Sequence, residues 1–294
     1  MSPASRTHGA ELLDPGLMAR LERVQLSTRR RLAGNLPGEH RSPRHGSSLD
    51  FADFRDYYPG DDMRRLDLNA LARLDRLLIK LFDAEDELTL RLLIDTSRSM
   101  EGPKMKRAAQ LGAALGFAAL IRRDVVTVHS FPFTHSGPRF RGRSMSQSLF
   151  DTVAGLEAGG QTPFVDAANQ LLTQPGPPGL TVLISDLLTP EWDTGVRRLK
   201  ARDSELMVLH VLDPSDLDPG LEGDLELVDN ETGVRLEVSL SPPVLTQYRA
   251  LAHRWQQDVA STVRTSGGAY LLVKPTDDLE TVLLGRARDQ GILR

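Results

Sequence analysis

Cysteine is absent from all 294 residues, which excludes disulfides, thiolate metal sites and cysteine nucleophiles. Lysine is scarce, restricted to Lys80, Lys104, Lys106, Lys200 and Lys274, so the basic side chains are mostly arginine. A formal net charge of -4 gives no general electrostatic drive toward nucleic acid. Long apolar runs are also missing. The longest, Ala108 to Ile121 interrupted by Gln110, falls short of the roughly 18 residues a membrane helix needs. The N-terminus carries charges where a signal peptide needs its apolar centre. The expectation is a cytoplasmic chain that neither spans a membrane nor leaves the cell by the ordinary export route.

Several catalytic signatures are missing as well. There is no Gly-x-x-x-x-Gly-Lys-Ser/Thr loop for ATP phosphates, no His-Glu-x-x-His and no Gly-x-Ser-x-Gly. His129, His135, His210 and His253 are scattered and read as structural. A composition of 40% apolar and 26% charged residues is that of a globular chain with one large core, or one core and a smaller attachment.

The most informative stretch is Leu90-Arg91-Leu92-Leu93-Ile94-Asp95-Thr96-Ser97-Arg98-Ser99-Met100. Leu90 to Ile94 reads as a strand buried on both faces. It ends in Asp-x-Ser-x-Ser, whose alternate residues can point one way. Asp95, Ser97 and Ser99 would then place three hard oxygens at a strand's C-terminal end, a set that suits Mg²⁺ or Mn²⁺. Alone, the same residues also fit a turn with a helix cap. Two later stretches answer the first. Gly159-Gly160-Gln161-Thr162-Pro163 puts a threonine in a glycine-rich turn before a helix, and Thr181 to Asp186 is a second apolar strand ending in a carboxylate.

This ordered set resembles the metal-ion-dependent adhesion site of von Willebrand factor A domains. The resemblance implies Asp95, Ser97, Ser99 and Thr162 as ligands, some through water, with Asp186 as a nearby carboxylate. Asp95 is then the one carboxylate to touch the ion directly, and the ion keeps positions that a partner's Asp or Glu can fill. An aspartyl-phosphate phosphatase would want a second Asp where Ser97 stands.

Alternating strands and helices argue a doubly wound, mostly parallel sheet. Strands are expected at 125–131, 180–185, 206–212 and 269–273, with a short edge strand within 134–143. Helices are expected at 104–122, 146–156, 165–173, 194–203, 243–265 and 278–288. Small residues along the first of these (Ala108, Gly112, Ala113, Gly116, Ala119) let it lie close to the sheet. Asp224 to Val228 and Val234 to Val238 form a hairpin inserted at about 222–240. With strand order 3-2-1-4-5-6, the strands ending in Asp95 and Asp186 are neighbours where the winding reverses, which is where such folds bind ligands.

Before this domain, Leu13, Leu17, Leu21, Val24, Thr28 and Leu32 recur at helical spacing, which predicts a helix over 11–33 ending in Arg29, Arg30 and Arg31. Gly38 to Gly60 reads as loop, 69–74 as a helix capped by Asp67 or Asn69, and 77–82 as a strand. Here Gly38-x-x-x-Ser42, Gly46, Phe51, Phe54-Arg55-x-Tyr57, Pro59-Gly60-Asp61-Asp62-x-Arg64-x-x-Asp67 and Ala72-Arg73 resemble the bacterial family called domain of unknown function 58. Leu68 stands where that family usually has Trp. The likeness covers about residues 35–290.

The expected division is a segment 1–87, packed on a von Willebrand A-like domain at 88–294. The resemblance implies a non-enzymatic, metal-dependent adaptor for a MoxR-type AAA+ ATPase and a protein client, with no nucleic acid bound. Candidate partner-binding residues are Arg98, Met100 and Gln161 beside the metal candidates, and Asp61, Arg64, Asp67 and Arg73. A buried ion-pair lattice is the alternative use of that last group. Two other functions stay open: a phosphoester hydrolase using the Asp95 cluster, and docking through the Arg/Asp-rich segment beside a vestigial metal site.

Overall fold

The structure is a computed structural model describing residues 12–27, 51–58, 61, 63, 66–82, 88–132, 137–161, 163–174, 177, 179–201, 205–229 and 233–294, with backbone only at 51–53 and 80–82. Two compact units are present, 33–87 and a larger one made of 1–32 with 88–294.

The chain enters the larger unit through helix α1 (Pro15–Leu21), which Asp14 caps by accepting from the Leu17 N–H at 3.0 Å. The helix stops at Leu21, well short of the expected 33. Beyond it the backbone extends, and Gln25 and Arg294 exchange N–H to carbonyl bonds at 3.0 and 2.9 Å. Leu17, Leu21, Val24 and Leu26 are all buried, so the helical spacing reflected burial without a continuous helix. This stretch therefore groups with the α/β unit rather than with the segment that follows. Arg29, Arg30 and Arg31 lie outside the described residues.

Unit 33–87 is built on an antiparallel pair, β1 (Phe51–Asp56) and β2 (Leu78–Phe82), with α2 (Leu68–Leu74) between them in sequence. β1 lies where a loop was expected. Asp53, Arg55 and Asp56 hide its strand character, and pairing with the apolar β2 supplies it. Asp67 caps α2, accepting from the Asn69 and Ala70 N–H groups at 2.9 and 3.2 Å. Leu68 opens this helix and is 68% exposed, so the departure from the family's Trp falls on the surface.

In the larger unit come β3 (Thr89–Asp95), α3 (Pro103–Ile121), β4 (Val125–Phe131), β5 (Arg139–Arg141), α4 (Ser146–Ala154) and α5 (Phe164–Thr173). They are followed by β6 (Leu180–Ser185), α6 (Trp192–Ala201), β7 (Glu205–Val211), α7 (Pro214–Leu217), β8 (Gly223–Val228) and β9 (Arg235–Leu240). Helix α8 (Pro242–Thr265), β10 (Ala269–Val273) and a π-helical turn (Thr281–Arg286) running into Ala287–Asp289 complete it. The central sheet has the order β10-β7-β6-β3-β4-β5, parallel except for β5. Counted along this unit, that is the 3-2-1-4-5-6 order, with β8 and β9 set apart as a separate hairpin.

Each face of the sheet has its own core. Leu90, Leu92 and Ile94 of β3 pack with Val182, Ile184 and the residues of α1, α3 and α4. Leu93 points the other way, into Phe131, Phe164, Leu183, Val208 and the residues of α5, α6 and α8, as the strand's alternation requires. Small residues set the spacing on both faces. A Cβ on Gly112 would stand 3.0 Å from the Ile94 side chain, and one on Gly116 only 2.5 Å from Leu149 of α4. The small face of α3 thus admits a neighbouring helix as well as the sheet. No described helix is long and apolar enough to cross a membrane.

Candidate metal centre at the reversal of the sheet

β3 and β6 are hydrogen-bonded neighbours in parallel register, from Leu90 beside Leu180 to Ile94 beside Ile184. Their C-terminal ends therefore lie together where the winding direction changes. Asp95 closes β3 and is fully buried. One carboxylate oxygen accepts from the Ser97 backbone N–H at 2.8 Å, and the other accepts from the Ser185 hydroxyl at 2.6 Å. That hydroxyl in turn accepts from the Leu187 N–H at 2.8 Å. The Ser97 and Ser99 hydroxyl oxygens are 3.0 Å apart.

The glycine-rich loop is tied to the same turn. Arg98 N–H donates to the Gly160 carbonyl at 3.1 Å, and Gly159 N–H donates to the Thr96 carbonyl at 2.7 Å. Gly160 has φ +79°, a conformation glycine adopts without strain. Gln161 and Arg98 are exposed beside this contact, whereas Thr162 lies outside the described residues. Met100 does not face a partner. It ends the 3₁₀ turn Arg98–Met100, and that turn aims its side chain into the core, where it is fully buried.

Asp186, also buried, looks elsewhere. One oxygen accepts from Lys104 Nζ at 2.8 Å and the other from the Leu188 N–H at 3.1 Å. Lys104 Nζ also lies 3.1 and 3.3 Å from the two oxygens of Asp216, on α7. Behind Asp186 runs a fixed chain of bonds. Gln256 donates to the Tyr270 hydroxyl at 2.9 Å, and that hydroxyl donates to His210 Nδ1 at 2.9 Å. His210 Nε2 donates to the Asp186 carbonyl at 2.8 Å, a tautomer assigned from these partners.

The charges follow from these contacts. Burial, and after it the Asp186 charge, pushes Asp95 up to about 7, against the lowering effect of its bonds to Ser185 and Ser97. Burial opposes the Lys104 ammonium, yet Asp186 and Asp216 outweigh it and hold its pKa above the ordinary value. Burial raises Asp216 despite Lys104. Burial lowers His210 to about 4, so its ring is neutral.

These residues fit a small hard cation. Asp95 is a fully buried carboxylate that accepts from a backbone N–H and from hydroxyls, and charge in such a place calls for a counter-ion. Two hydroxyls, hard donors without charge, sit on the same turn. Among the described residues no group of three or more His, Cys, Asp or Glu is placed to hold a metal ion.

The other candidates are in unit 33–87. Asp61 receives both nitrogens of the Arg55 fork at 2.7 and 2.8 Å and the Tyr58 N–H at 2.9 Å. Arg55 remains 40% exposed, so this pair is not part of a buried lattice. Asp67 is the helix cap, Arg73 lies exposed in the last turn of α2, and Asp62 and Arg64 fall outside the described residues.

Lys104, Asp216 and Ser185 are site residues that sequence reasoning missed. Lys104 carried a faint signal, as a rare lysine one turn past the Asp-x-Ser-x-Ser loop. Asp213-Pro214-Ser215-Asp216 carried another, as a capping box after a strand. Next to Asp186, Leu187, Leu188, Thr189, Pro190, Trp192 and Trp255 line a shallow apolar groove of about 360 Å³.

A doubly wound α/β module with an acidic and hydroxyl-bearing cluster at its topological switch is the class of protein these features define. The family described as Protein of unknown function DUF58 matches residues 53–258, and the chain belongs to it. Uncharacterized proteins of Mycobacterium bovis and Mycobacterium tuberculosis are 29% identical over 300 residues, covering 94% of this chain and 90% of theirs. A Mycobacterium avium protein is 30% identical over 162 residues, 53% of this chain and 95% of its own. Among solved structures, the conserved hypothetical protein BatB of Bacteroides thetaiotaomicron aligns with a TM-score of 0.41 at 16% identity, over 70% of this chain and 97% of its own. An aerotolerance-related membrane protein of Bacteroides fragilis aligns at 0.40 and 16%, over 70% and 98%.

Proposed function

We propose that this protein is a non-enzymatic interaction module of the von Willebrand A-like kind. It would dock partners through Mg²⁺ or Mn²⁺ and link a MoxR-type AAA+ ATPase to a protein client in the cytoplasm. The observation that carries the docking half is Asp95, a fully buried carboxylate at the sheet's switch point with hydroxyls beside it. Asp95, Ser97 and Ser99 would hold the ion, and the resemblance to von Willebrand factor A domains adds Thr162. The ion would supply a Lewis-acidic point for a partner's Asp or Glu. The ATPase half rests on the family resemblance.

An enzymatic use has less support. His210 commits both ring nitrogens to Tyr270 and the Asp186 carbonyl, leaving none free to take a proton from a nucleophile. The Trp192 and Trp255 groove beside Asp186 suits an apolar side chain next to the partner's carboxylate, since buried aromatic walls dominate such contacts.

Calorimetric titration of Mg²⁺ and Mn²⁺ into the wild type and Asp95→Ala, followed by capture of the ATPase with and without EDTA, tests the proposal. Binding and capture should both disappear in the variant. One observation favours a second reading. In unit 33–87, Phe54, Tyr58, Met63, Leu68, Leu74 and Leu77 are each at least 40% exposed, apolar side chains that a partner would cover. Capture that survives both EDTA and Asp95→Ala would assign the interface to this unit.

A further inference from the structure

Lys104 stands out because its ammonium group is buried and pairs with two carboxylates, Asp186 at 2.8 Å and Asp216 at 3.1 Å. Both ends of this arrangement are fixed. Lys104 belongs to the first turn of α3, which starts directly after the Asp95 loop. Asp216 is held by the capping box of α7: its Oδ2 accepts from the Asp213 N–H at 2.8 Å, and its carbonyl accepts from the Tyr248 hydroxyl at 2.9 Å. The lysine therefore reaches the metal candidates from one side while a carboxylate that belongs to no candidate ligand set holds it from behind. The Asp186 charge is felt at Asp95, so whatever neutralises Asp186 changes the field at the ion position.

We propose that Lys104 is a built-in cation that sets the charge of this site, neutralising Asp186 so that a divalent ion depends on a partner's carboxylate for firm binding. The inference rests on the metal-docking reading above. With Asp95, Asp186 and Asp216 charged and Lys104 protonated, the cluster carries a net charge of about -2. Replacing Lys104 by methionine makes it more negative, and replacing Asp216 by asparagine makes it less so. The two substitutions thus push Mg²⁺ affinity in opposite directions, although both break the same salt bridge. A purely architectural Lys104–Asp216 pair would give the same sign for both, because each loss would loosen the loop.

The test is calorimetric titration of Mg²⁺ alone into the full chain at pH 8, as wild type, Lys104→Met, Lys104→Arg and Asp216→Asn. The expected result is binding tightened about tenfold in Lys104→Met, weakened several-fold in Asp216→Asn and near wild type in Lys104→Arg, as charge at this range in a low-dielectric site requires. Should Lys104→Met fail to fold, Lys104→Gln removes the same charge with a polar side chain, and tighter binding in it against weaker binding in Asp216→Asn decides. Wild-type binding that weakens or stays level in Lys104→Met, or tightens in Asp216→Asn, overturns the role of Lys104 while leaving the metal reading standing. Absence of binding in every form, with the proteins folded, overturns both.

Discussion

Replacing Asp95 by asparagine should stabilise this protein at alkaline pH when divalent ions are removed. Asn keeps a carbonyl oxygen for the Ser97 N–H, and its amide can donate to the Ser185 hydroxyl, so both bonds of the carboxylate have replacements. What it removes is a buried charge. Asp95 rises from an ordinary 3.8 to about 7 in the fold. At about 1.4 kcal/mol per unit this amounts to on the order of 4 kcal/mol against the native state above pH 7. A carboxyl with a raised native pKa binds more protons folded than unfolded between pH 4 and 7, so stability falls as pH rises through that window.

His210 acts in the opposite sense. Its pKa is lowered to about 4, so between 6.5 and 4 the unfolded chain takes up the proton first and acid destabilises the fold. The two slopes nearly cancel in the wild type below pH 6.5, and Asp95→Asn exposes the histidine alone. Urea unfolding in EDTA should show the variant about 1 kcal/mol below wild type near pH 4, the cost of the altered hydrogen bonds alone. The gap should then reverse to about 2–4 kcal/mol in the variant's favour at pH 8, after about 1 kcal/mol for altered hydrogen bonds. Saturating Mg²⁺ should close it by stabilising only the wild type. A variant less stable than wild type at pH 8 in EDTA would mean that the Asp95 charge is already compensated.

Three further outcomes follow from the contacts. Ser185→Ala removes the hydroxyl shared by Asp95 and the Leu187 N–H, and should lower the unfolding free energy by about 2–3 kcal/mol, read from the urea midpoint; an unchanged midpoint would contradict it. Gly195→Ala places a Cβ 2.3 Å from the Phe164 ring, and overpacking of this kind should destabilise by about 1–3 kcal/mol, measured by thermal unfolding. Trp192→Ala should weaken capture of the ATPase with Mg²⁺ affinity unchanged, since Trp192 lines the groove; capture at wild-type strength would separate the groove from docking.

The sheet was legible because its strands are buried on both faces and read as apolar runs, as Leu180 to Ser185 does. The reversal at Asp95 and Asp186 followed once the strand order was known. β1 was hidden by its charges, and α1 was overextended because Val24 and Leu26 keep an apolar spacing while the backbone turns to meet Arg294. At the site, Asp95 and Ser97 are joined by a bond two residues long, the kind of contact that a motif encodes. Lys104 and Asp216 are 112 residues apart, so only the packing of α3 against the α7 turn brings them together. Met100 was offered to a partner, whereas its side chain, at the end of the 3₁₀ turn, is fully buried in the core.

We propose the cluster around Asp95 as a metal-dependent docking surface. Its most direct test is capture of a MoxR-type AAA+ ATPase by the purified full chain in Mg²⁺, in EDTA, and in Mg²⁺ with Asp95→Ala. Capture is expected in the first condition alone, with Mg²⁺ heats that vanish in the same variant. Capture that is equal in all three conditions would contradict it and move the interface away from the strand ends.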